Sequence, residues 1–223
     1  MEQEIENIKK IYDQRKKDVR VPDKYEVDYA FYITQEREKI YKDIVVKHFS
    51  DIKNCLFIEI GAGAGGNLHF FNKLGIPYEN IVANELLDDR VHQLKDNYPE
   101  VTVHKGNAVD MEINQKFDIV FQSTVFTSIL NKQFRIQLAD KMWKLLNDKG
   151  IILWYDFTYD NPANKNVKKV GKKEIKKLFP AGTKYEFYKV TLAPPIGRRL
   201  GHLYTFINKF KFLRTHLIAV IYK

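Results

Sequence analysis

The sequence has one cysteine, Cys55, and no long hydrophobic run. A single cysteine excludes a framework of internal disulfides and favours a reducing compartment. No stretch approaches the roughly 18 consecutive apolar residues that a membrane-spanning helix requires. The first ten residues, MEQEIENIKK, are charged and do not resemble a signal peptide. These absences together predict a cytoplasmic protein, and Cys55 itself begins an apolar run that is typical of inert core.

The composition predicts one globular domain with an appendage. Of the 223 residues, 44% are hydrophobic and 13% are aromatic, which is enough for a sizeable core. Internal repeats and low-complexity linkers are absent. We therefore divide the chain into a helical N-terminal extension or cap, residues 1–50, and a core domain, residues 51–223.

Acidic residues are scarce in the last quarter of the chain. Residues 161–223 carry 15 Lys and Arg but only Glu174 and Glu186, although the net charge of the whole chain is only +9. Such a concentration of positive charge attracts phosphates, nucleic acid or an anionic membrane surface. A solvated lysine-rich surface is the simpler explanation of the run KNVKKVGKKEIKK, residues 165–177.

Short apolar runs alternate with amphipathic stretches from residue 55 onwards. The runs are CLFIEI (55–60), NIVANE (80–85), VTVH (101–104), FDIVFQ (117–122) and GIILWYDF (150–157). Segments with helical periodicity near 66–75, 88–97 and 131–146 separate them, and the last ends at NDKG, a helix stop. Strands that alternate with helices indicate a parallel, doubly wound sheet.

The end of the chain departs from this alternation. A short basic helix near 171–179 precedes two further strand-like segments, TKYEFYKVTLA (183–193) and THLIAVIYK (215–223). These two segments lack the usual crossover helix and therefore indicate an antiparallel pair. We predict a Rossmann-like α/β fold: a seven-stranded, mostly parallel sheet with helices on both faces, an antiparallel edge strand and a helical N-terminal extension.

The stretch FIEIGAGAGGNLHFF, residues 57–71, predicts a buried strand, a glycine loop and a helix start. Gly61, Gly63 and Gly66 fit the G-x-G-x-x-G pattern of dinucleotide-binding domains. Gly61, Gly63 and Gly65 fit the G-x-G-x-G pattern of S-adenosylmethionine (SAM) enzymes equally well. Glu85 lies 19 residues beyond Gly66, which suits a carboxylate that binds two ribose hydroxyls. Both features are compatible with NAD and with SAM.

Three other features favour SAM. Glu59 stands two residues before the first glycine, GNAVDM follows the third strand, and the last strands are antiparallel. With them the sequence resembles the class I SAM-dependent methyltransferases over residues 34–223. The motifs that carry this resemblance, in order, are FIEIGAGAGGNL, NELLDDR, GNAVDM, FDIVFQSTVFTSIL and LLNDKGIILWYDF.

The resemblance implies SAM as cofactor, S-adenosylhomocysteine (SAH) as product, and a role for each motif. The glycine loop would let the backbone approach the cofactor, and Glu85 would hold its ribose. Asn107, which stands where the family usually has aspartate, would border the adenine with Ala108. The implied cofactor residues are Glu59, Gly61, Ala62, Gly63, Gly65, Asn67, Glu85, Leu86, Asn107, Ala108, Gln122 and Ser123.

A narrower resemblance suggests the acceptor. STVFTSIL, LWYDFTYDNP and TLAPPIGRRL are similar to methyltransferases of bacterial surface-polysaccharide gene clusters. This similarity implies O-methylation of a sugar or phosphate-bearing small molecule or glycan precursor for capsule or O-antigen. Arg198 and Arg199 would then pair with an acceptor phosphate. Asp156, at the end of the fifth strand, and His202 are the candidates for a general base.

The segment PPIGRRLGHLYTFINKFKFLR, residues 194–214, is longer than a simple hairpin and is here called the insert. Leu200, Leu203, Ile207 and Phe210 form an apolar stripe with basic residues around it. We expect the insert to act as a lid over the acceptor. Packing on the domain alone, or attachment to a membrane surface, would produce the same pattern.

Motifs that the sequence lacks exclude some classes of methyltransferase. No [DNS]-P-P-[YFW] follows the fourth strand, and no Pro-Cys pair occurs, so methylation of adenine or cytosine in nucleic acid is not expected. No His or Cys cluster has metal-ligand spacing, so no metal is expected. Two alternatives stay open: an RNA methyltransferase that uses the basic C-terminal region, and a non-catalytic methyltransferase-like binding module. The pattern leaves the oligomeric state open.

Overall fold

The computed structural model describes residues 2–17, 21–161 and 164–223. Met1 and residues 18–20 of the predicted N-terminal extension therefore lie outside the described residues. The same holds for Pro162, the last residue of the motif LWYDFTYDNP.

Seven strands form one sheet in the described part of the chain. They are β1 (Phe57–Ile60), β2 (Ile81–Glu85), β3 (Thr102–Lys105), β4 (Phe117–Ser123), β5 (Leu146–Phe157), β6 (Lys184–Leu192) and β7 (Arg214–Tyr222). Their order across the sheet is β3-β2-β1-β4-β5-β7-β6. The first five strands are parallel, and β7 is antiparallel to both β5 and β6. The predicted mostly parallel sheet is confirmed, with the reversed strand β7 placed between β5 and the edge strand β6.

Helices cover both faces of this sheet. They are α1 (Glu2–Lys17), α2 (Lys24–His48), α3 (Leu68–Leu74), α4 (Asp88–Asn97), α5 (Lys132–Leu145), α6 (Lys172–Leu178), α7 (Pro194–Gly197) and α8 (Tyr204–Ile207). Asp23 and Asn131 begin α2 and α5 by accepting hydrogen bonds from the backbone N–H groups of Glu26 and Phe134. The helices predicted near 66–75, 88–97, 131–146 and 171–179 correspond to α3, α4, α5 and α6.

The core lies on both faces of the sheet, as the near-continuous apolar strands require. Ile58 and Trp154 pack with α5 and α6 on one face, whereas Phe57 and Phe121 pack with α2 and α3 on the other. Cys55 is buried beside the second of these clusters. Burial raises the pKa of its thiol to about 11, so the side chain stays protonated and apolar at neutral pH.

The segment NDKG follows the end of α5 as predicted, but it lies within the strand β5 and not in a loop. The helix α5 ends at Leu145, and β5 begins at Leu146. The pairing of β4 with β5 shifts register between Phe117 and Ile119. The sequence Asn147–Gly150 therefore belongs to an irregular start of the strand, because the partner strand supplies hydrogen bonds that a local pattern does not show.

The topology brings three separate segments to one edge of the sheet. Because β7 is antiparallel to its two neighbours, β6 is parallel to β5 and ends at the same edge as the first five strands. The insert follows β6 directly, and the N-terminal half of α2 packs against it. Ligand sites of open α/β sheets lie at this carboxyl edge.

Candidate active site

A cavity of about 290 Å³ opens at the carboxyl ends of β1, β2 and β4. Ten of the twelve predicted cofactor residues line it. They are Glu59, Gly61, Ala62, Gly63, Asn67, Glu85, Leu86, Asn107, Ala108 and Ser123. The other two, Gly65 and Gln122, do not line the cavity and have structural contacts instead.

The glycine loop follows β1 and has two glycines in distinct roles. Gly61 has φ +67°, and a Cβ there would lie 2.6 Å from Cγ2 of Val125, so the loop can pass this residue only as glycine. Gly65 has φ +85°, and its Cβ would lie 2.4 Å from Cε2 of Tyr98. Gly65 thus permits packing on α4, which corrects the expectation that it lines the site.

Glu85, at the end of β2, ties the glycine loop to the sheet. Its Oε2 accepts a hydrogen bond from the backbone N–H of Gly63 at 2.7 Å. Its Oε1 accepts from the N–H groups of Leu86 and Leu87 at 2.8 and 2.9 Å. A carboxylate has about four acceptor positions and three are used here, so Glu85 retains about one for a ribose hydroxyl while it holds the loop.

Glu59, in β1, places a buried carboxyl group in the wall of the cavity. Its Oε1 accepts a hydrogen bond from Nδ2 of Asn67 at 2.7 Å, and its Oε2 is buried with no partner in the described part of the chain. Burial raises the pKa of Glu59 to about 8. An unpaired buried acceptor favours a cationic donor from the cavity, and the ammonium group of SAM is such a donor.

Asn107 and Asn84 shape the opposite side of the cavity. Asn107 accepts from the N–H of Val109 and donates to Oδ2 of Asp110, so it caps the short turn Ala108–Asp110. Asn84 donates from Nδ2 to the carbonyls of His104 and Gly106, which holds the end of β3 against β2. Asn84 was not predicted, because its role depends on a neighbour that is distant in sequence.

Gln122 positions a strained turn after β4. The side chain is fully buried, its Oε1 accepts from the N–H of Val125 at 3.0 Å, and its Nε2 donates to the carbonyl of Tyr155. The next residue but one, Thr124, has φ +60°, an unfavourable value for a β-branched residue. Thr124 and Val125 line the cavity, whereas Gln122 supports them from behind.

Asp156 lies inside the sheet and away from the cavity. Its carboxylate is fully buried and accepts from the hydroxyl of Thr127 at 2.5 Å and from the N–H of the same residue at 3.2 Å. Burial raises the pKa of Asp156 to about 7. The group holds the turn at Thr127, and this placement argues against the predicted role as general base, because an acceptor cannot reach it.

The predicted acceptor residues lie on the insert and do not line the cavity. Arg198, Arg199 and His202 are all exposed, and the ring of His202 lies 5.0 Å from that of Tyr25. The hydroxyl of Tyr29 donates to the carbonyl of Leu192 at 2.8 Å. The aromatic residues at the start of α2 therefore pack against the insert and not against the cofactor cavity.

The segment that crosses the cavity is α1. Ile5, Ile8 and Tyr12 line it from above, and the guanidinium of Arg90 lies 4.6 Å from the centre of the Tyr12 ring. Oε1 of Glu4 accepts hydrogen bonds from the backbone N–H groups of Asn131 and Leu130, just before α5, at 3.0 and 2.5 Å. The three apolar residues have helical spacing, a signal in the sequence that could have revealed the buried face of α1.

Two kinds of feature are missing from residues 2–17, 21–161 and 164–223. No group of three or more His, Cys, Asp or Glu side chains is placed so that it could hold a metal ion. None of the helices in these ranges has the length and apolar character needed to cross a bilayer.

Comparison with known proteins gives a match to one family and to many structures. Residues 58–154 match the family model described as a methyltransferase domain. No curated protein matches the chain. Among solved structures, 1263 chains match, so the fold alone does not select an acceptor.

Three of the matching structures illustrate the range of methyltransferases that share this fold. A TehB-like SAM-dependent methyltransferase from Corynebacterium glutamicum has a TM-score of 0.57 and 13% identity, over 87% of this chain and 97% of that one. The N-methyltransferase NodS from Bradyrhizobium japonicum, with bound SAH, has a TM-score of 0.63 and 11% identity, over 85% and 86%. CalS10 from Micromonospora echinaspora, an amino pentose methyltransferase with bound SAM, has a TM-score of 0.58 and 12% identity, over 84% of this chain and 91% of that one.

These findings decide between the two cofactors that the glycine loop allows. The domain match covers the glycine loop, Glu85 and the turn after β4, and the similar structures share the sheet that carries them. The cofactor is S-adenosylmethionine, as predicted, and not NAD. The domain match, the fold and the cavity together support a class I SAM-dependent methyltransferase.

Proposed function

We propose that the protein transfers the methyl group of SAM to a hydroxyl of a phosphate-bearing sugar or glycan precursor, of the kind that enters capsule or O-antigen. SAM, when bound, supplies a methyl group that its sulfonium charge already activates. The chain's own task is to align donor and acceptor, and such positioning lowers a barrier by several kcal/mol.

The cavity residues divide this task. Glu85 would hold the ribose of the cofactor, and the main chain of the glycine loop would lie close around it. Glu59 would pair with the ammonium group. Binding a cation beside Glu59 favours the ionised carboxylate, so the site gains a charge pair as it fills. The fixed turn at Thr124, held from behind by Gln122, closes the cavity at the end of β4.

The observation that supports an anionic acceptor is the pair Arg198 and Arg199. Both side chains are exposed at the carboxyl edge, and neither forms an ion pair in the described part of the chain. No acidic residue follows Glu186 in the sequence. Two exposed guanidinium groups that no described carboxylate neutralises suit a phosphate, which arginine binds in bidentate geometry.

One further point supports a sugar acceptor, and another supplies a base for its hydroxyl. The similarity to CalS10 indicates that a protein of this fold methylates an amino pentose. With Asp156 buried, His202 is the remaining predicted base, and its exposed position on the insert leaves it available to an acceptor. We propose His202 for this role.

The test is an acceptor screen in which SAH formation is measured. Sugar phosphates and nucleotide sugars should be turned over faster than the matching neutral sugars. The variant Arg198→Ala/Arg199→Ala should raise the acceptor KM about tenfold or more and leave SAH affinity unchanged. Lys73→Ala/Lys95→Ala, which removes two exposed charges from α3 and α4, is the matched control. An unchanged acceptor KM in the arginine variant would contradict the proposal.

RNA methylation is the second candidate, because residues 161–223 concentrate the positive charge. It predicts turnover on RNA and binding that weakens steeply with salt. A non-catalytic module would bind SAH and turn over no acceptor in any cell extract. The same screen, with total RNA and extracts included, distinguishes these outcomes.

A further inference from the structure

The insert carries an exposed aromatic surface, which we define as Phe206, Phe210 and Phe212. Their side chains are 62%, 45% and 73% exposed. The ring of Phe210 lies 6.1 Å from that of Phe206 and 6.0 Å from that of Phe212, so the three rings form one cluster. Contiguous apolar surface of this kind marks a site that another partner covers.

Within the insert, the charged residues beside the aromatic surface are all basic. Lys209 and Lys211 alternate with the three rings along the chain and are exposed. Neither lysine forms an ion pair in the described ranges. Because the chain has no acidic residue after Glu186, the insert contains no carboxylate side chain that could neutralise this charge. The charge therefore selects an anionic partner.

The aromatic surface is held in a fixed place. Tyr204 donates to Oε2 of Glu36 at 2.6 Å, and Asn208 donates from Nδ2 to Oε1 at 2.7 Å. Both residues are buried against α2 and lie within the same insert as the exposed rings. The rings thus stand out from an anchored platform, at the edge of the sheet where the cofactor cavity opens.

We propose that this surface binds an anionic membrane surface. The three rings would enter the boundary between headgroups and acyl chains, and Lys209 and Lys211 would contact lipid phosphates. Clustered rings whose charged neighbours within the insert are all basic suit the boundary of an anionic bilayer. The planes of Phe206 and Phe210 lie at 81° to each other and those of Phe210 and Phe212 at 58°, which leaves the rings poorly arranged for stacking on successive bases. The inference does not depend on which acceptor is methylated.

The experiment is flotation of the purified full-length protein with vesicles. Phosphatidylcholine vesicles that contain phosphatidylglycerol are compared with pure phosphatidylcholine vesicles, at low and high salt. The test variants are Phe206→Ser/Phe212→Ser and Lys209→Gln/Lys211→Gln. The matched controls are Ile136→Ser, which removes an exposed apolar side chain of α5, and Lys73→Gln/Lys95→Gln. Thermal unfolding and SAH affinity verify that each variant is folded.

We expect the wild type to bind the anionic vesicles and to lose binding at high salt. Each test variant should bind the anionic vesicles at least about tenfold more weakly than the wild type, and the controls should bind as the wild type does. No binding of the wild type, or binding that the test variants leave unchanged, would overturn the proposal. It would also be overturned if the test variants instead abolished self-association or RNA binding while vesicles were not bound.

Discussion

At the scale of single residues, burial decides what the acidic groups of this protein can do. Glu59 and Asp156 are both nearly or fully inaccessible to solvent, and burial raises the pKa of each well above the usual value. Glu59 has an unpaired oxygen at the cavity, whereas the oxygens of Asp156 are bound to Thr127. The first can therefore serve a ligand, and the second serves the fold.

The buried Asp156 predicts how stability changes with pH. Its pKa is about 7 in the folded protein and 3.8 for an ordinary aspartate, so between these values the folded state binds more protons than the unfolded state. The free energy of unfolding therefore falls as pH rises through this window, by about 4 kcal/mol at most from this group. The variant Asp156→Asn cannot ionise and should lose that part of the decline.

Urea unfolding at several pH values measures this effect. The difference between wild type and Asp156→Asn isolates the contribution of Asp156, because the other titrating groups are common to both proteins. Asp140→Asn, on the exposed face of α5, is the control and should follow the wild type. If the difference in free energy of unfolding between wild type and Asp156→Asn stayed constant from pH 4 to about 7, the raised pKa of Asp156 would be contradicted.

At the scale of elements, Glu36 joins α2 to the insert and to β6. Besides Tyr204 and Asn208, it accepts a hydrogen bond from the N–H of Thr191 at 2.9 Å. Thr191 has φ +60°, an unfavourable conformation that the surrounding contacts hold in place. One carboxylate of α2 thus anchors β6 and the insert that follows it, although both lie far from Glu36 in sequence.

Glu36→Gln should loosen the insert without emptying the cofactor cavity. Glutamine keeps the size of the side chain but loses the charge-assisted hydrogen bonds and leaves a donor where an acceptor was needed. We expect the free energy of unfolding to fall by about 2 kcal/mol and proteases to cut the insert sooner. SAH affinity should stay the same, because Glu36 does not line the cavity.

Urea unfolding and limited proteolysis check this prediction. Glu38→Gln, two residues further along α2, is the matched control. Equal protease resistance in the two variants would show that Glu36 does not anchor the insert.

The elements themselves were largely predictable from local patterns. Apolar runs and helical periodicity located β1 to β5 and α3 to α6, because these patterns reflect burial on a period of two or 3.6 residues. The N-terminal segment was predicted as an extension or cap, but the residues of α1 that line the cavity were not singled out, since they pack on a cavity built from other segments. Gly65 and Gln122 were placed in the correct loops, but their contacts with Tyr98 and Val125 arise only in the folded chain.

At the scale of the whole molecule, SAH should stabilise the native state, because its site is assembled only on folding. At a concentration one hundred times its Kd, a ligand adds about 2.7 kcal/mol to the free energy of unfolding. For a chain of this length, that raises the Tm by about 6 °C. NAD at the same concentration should have no effect.

A thermal-shift titration measures this, and Glu85→Ala is the informative variant. Loss of a charged acceptor should weaken SAH binding by about tenfold or more, so the variant needs correspondingly more SAH for the same shift. The replacement Glu79→Ala, in the exposed turn before β2, should behave as the wild type. A rise in Tm with NAD, or an unchanged SAH response in Glu85→Ala, would contradict the assignment of the site.

The sequence by itself determined the sheet, the glycine loop and the carboxylate at the end of β2. These features are local, because strand periodicity, glycine backbone freedom and the spacing to Glu85 are all written within short segments. Only the tertiary structure decided which groups face the cavity. The inaccessibility of Asp156, the cover provided by α1 and the anchoring of the insert by Glu36 depend on contacts between distant segments, and burial and hydrogen bonding act on groups that are close in space.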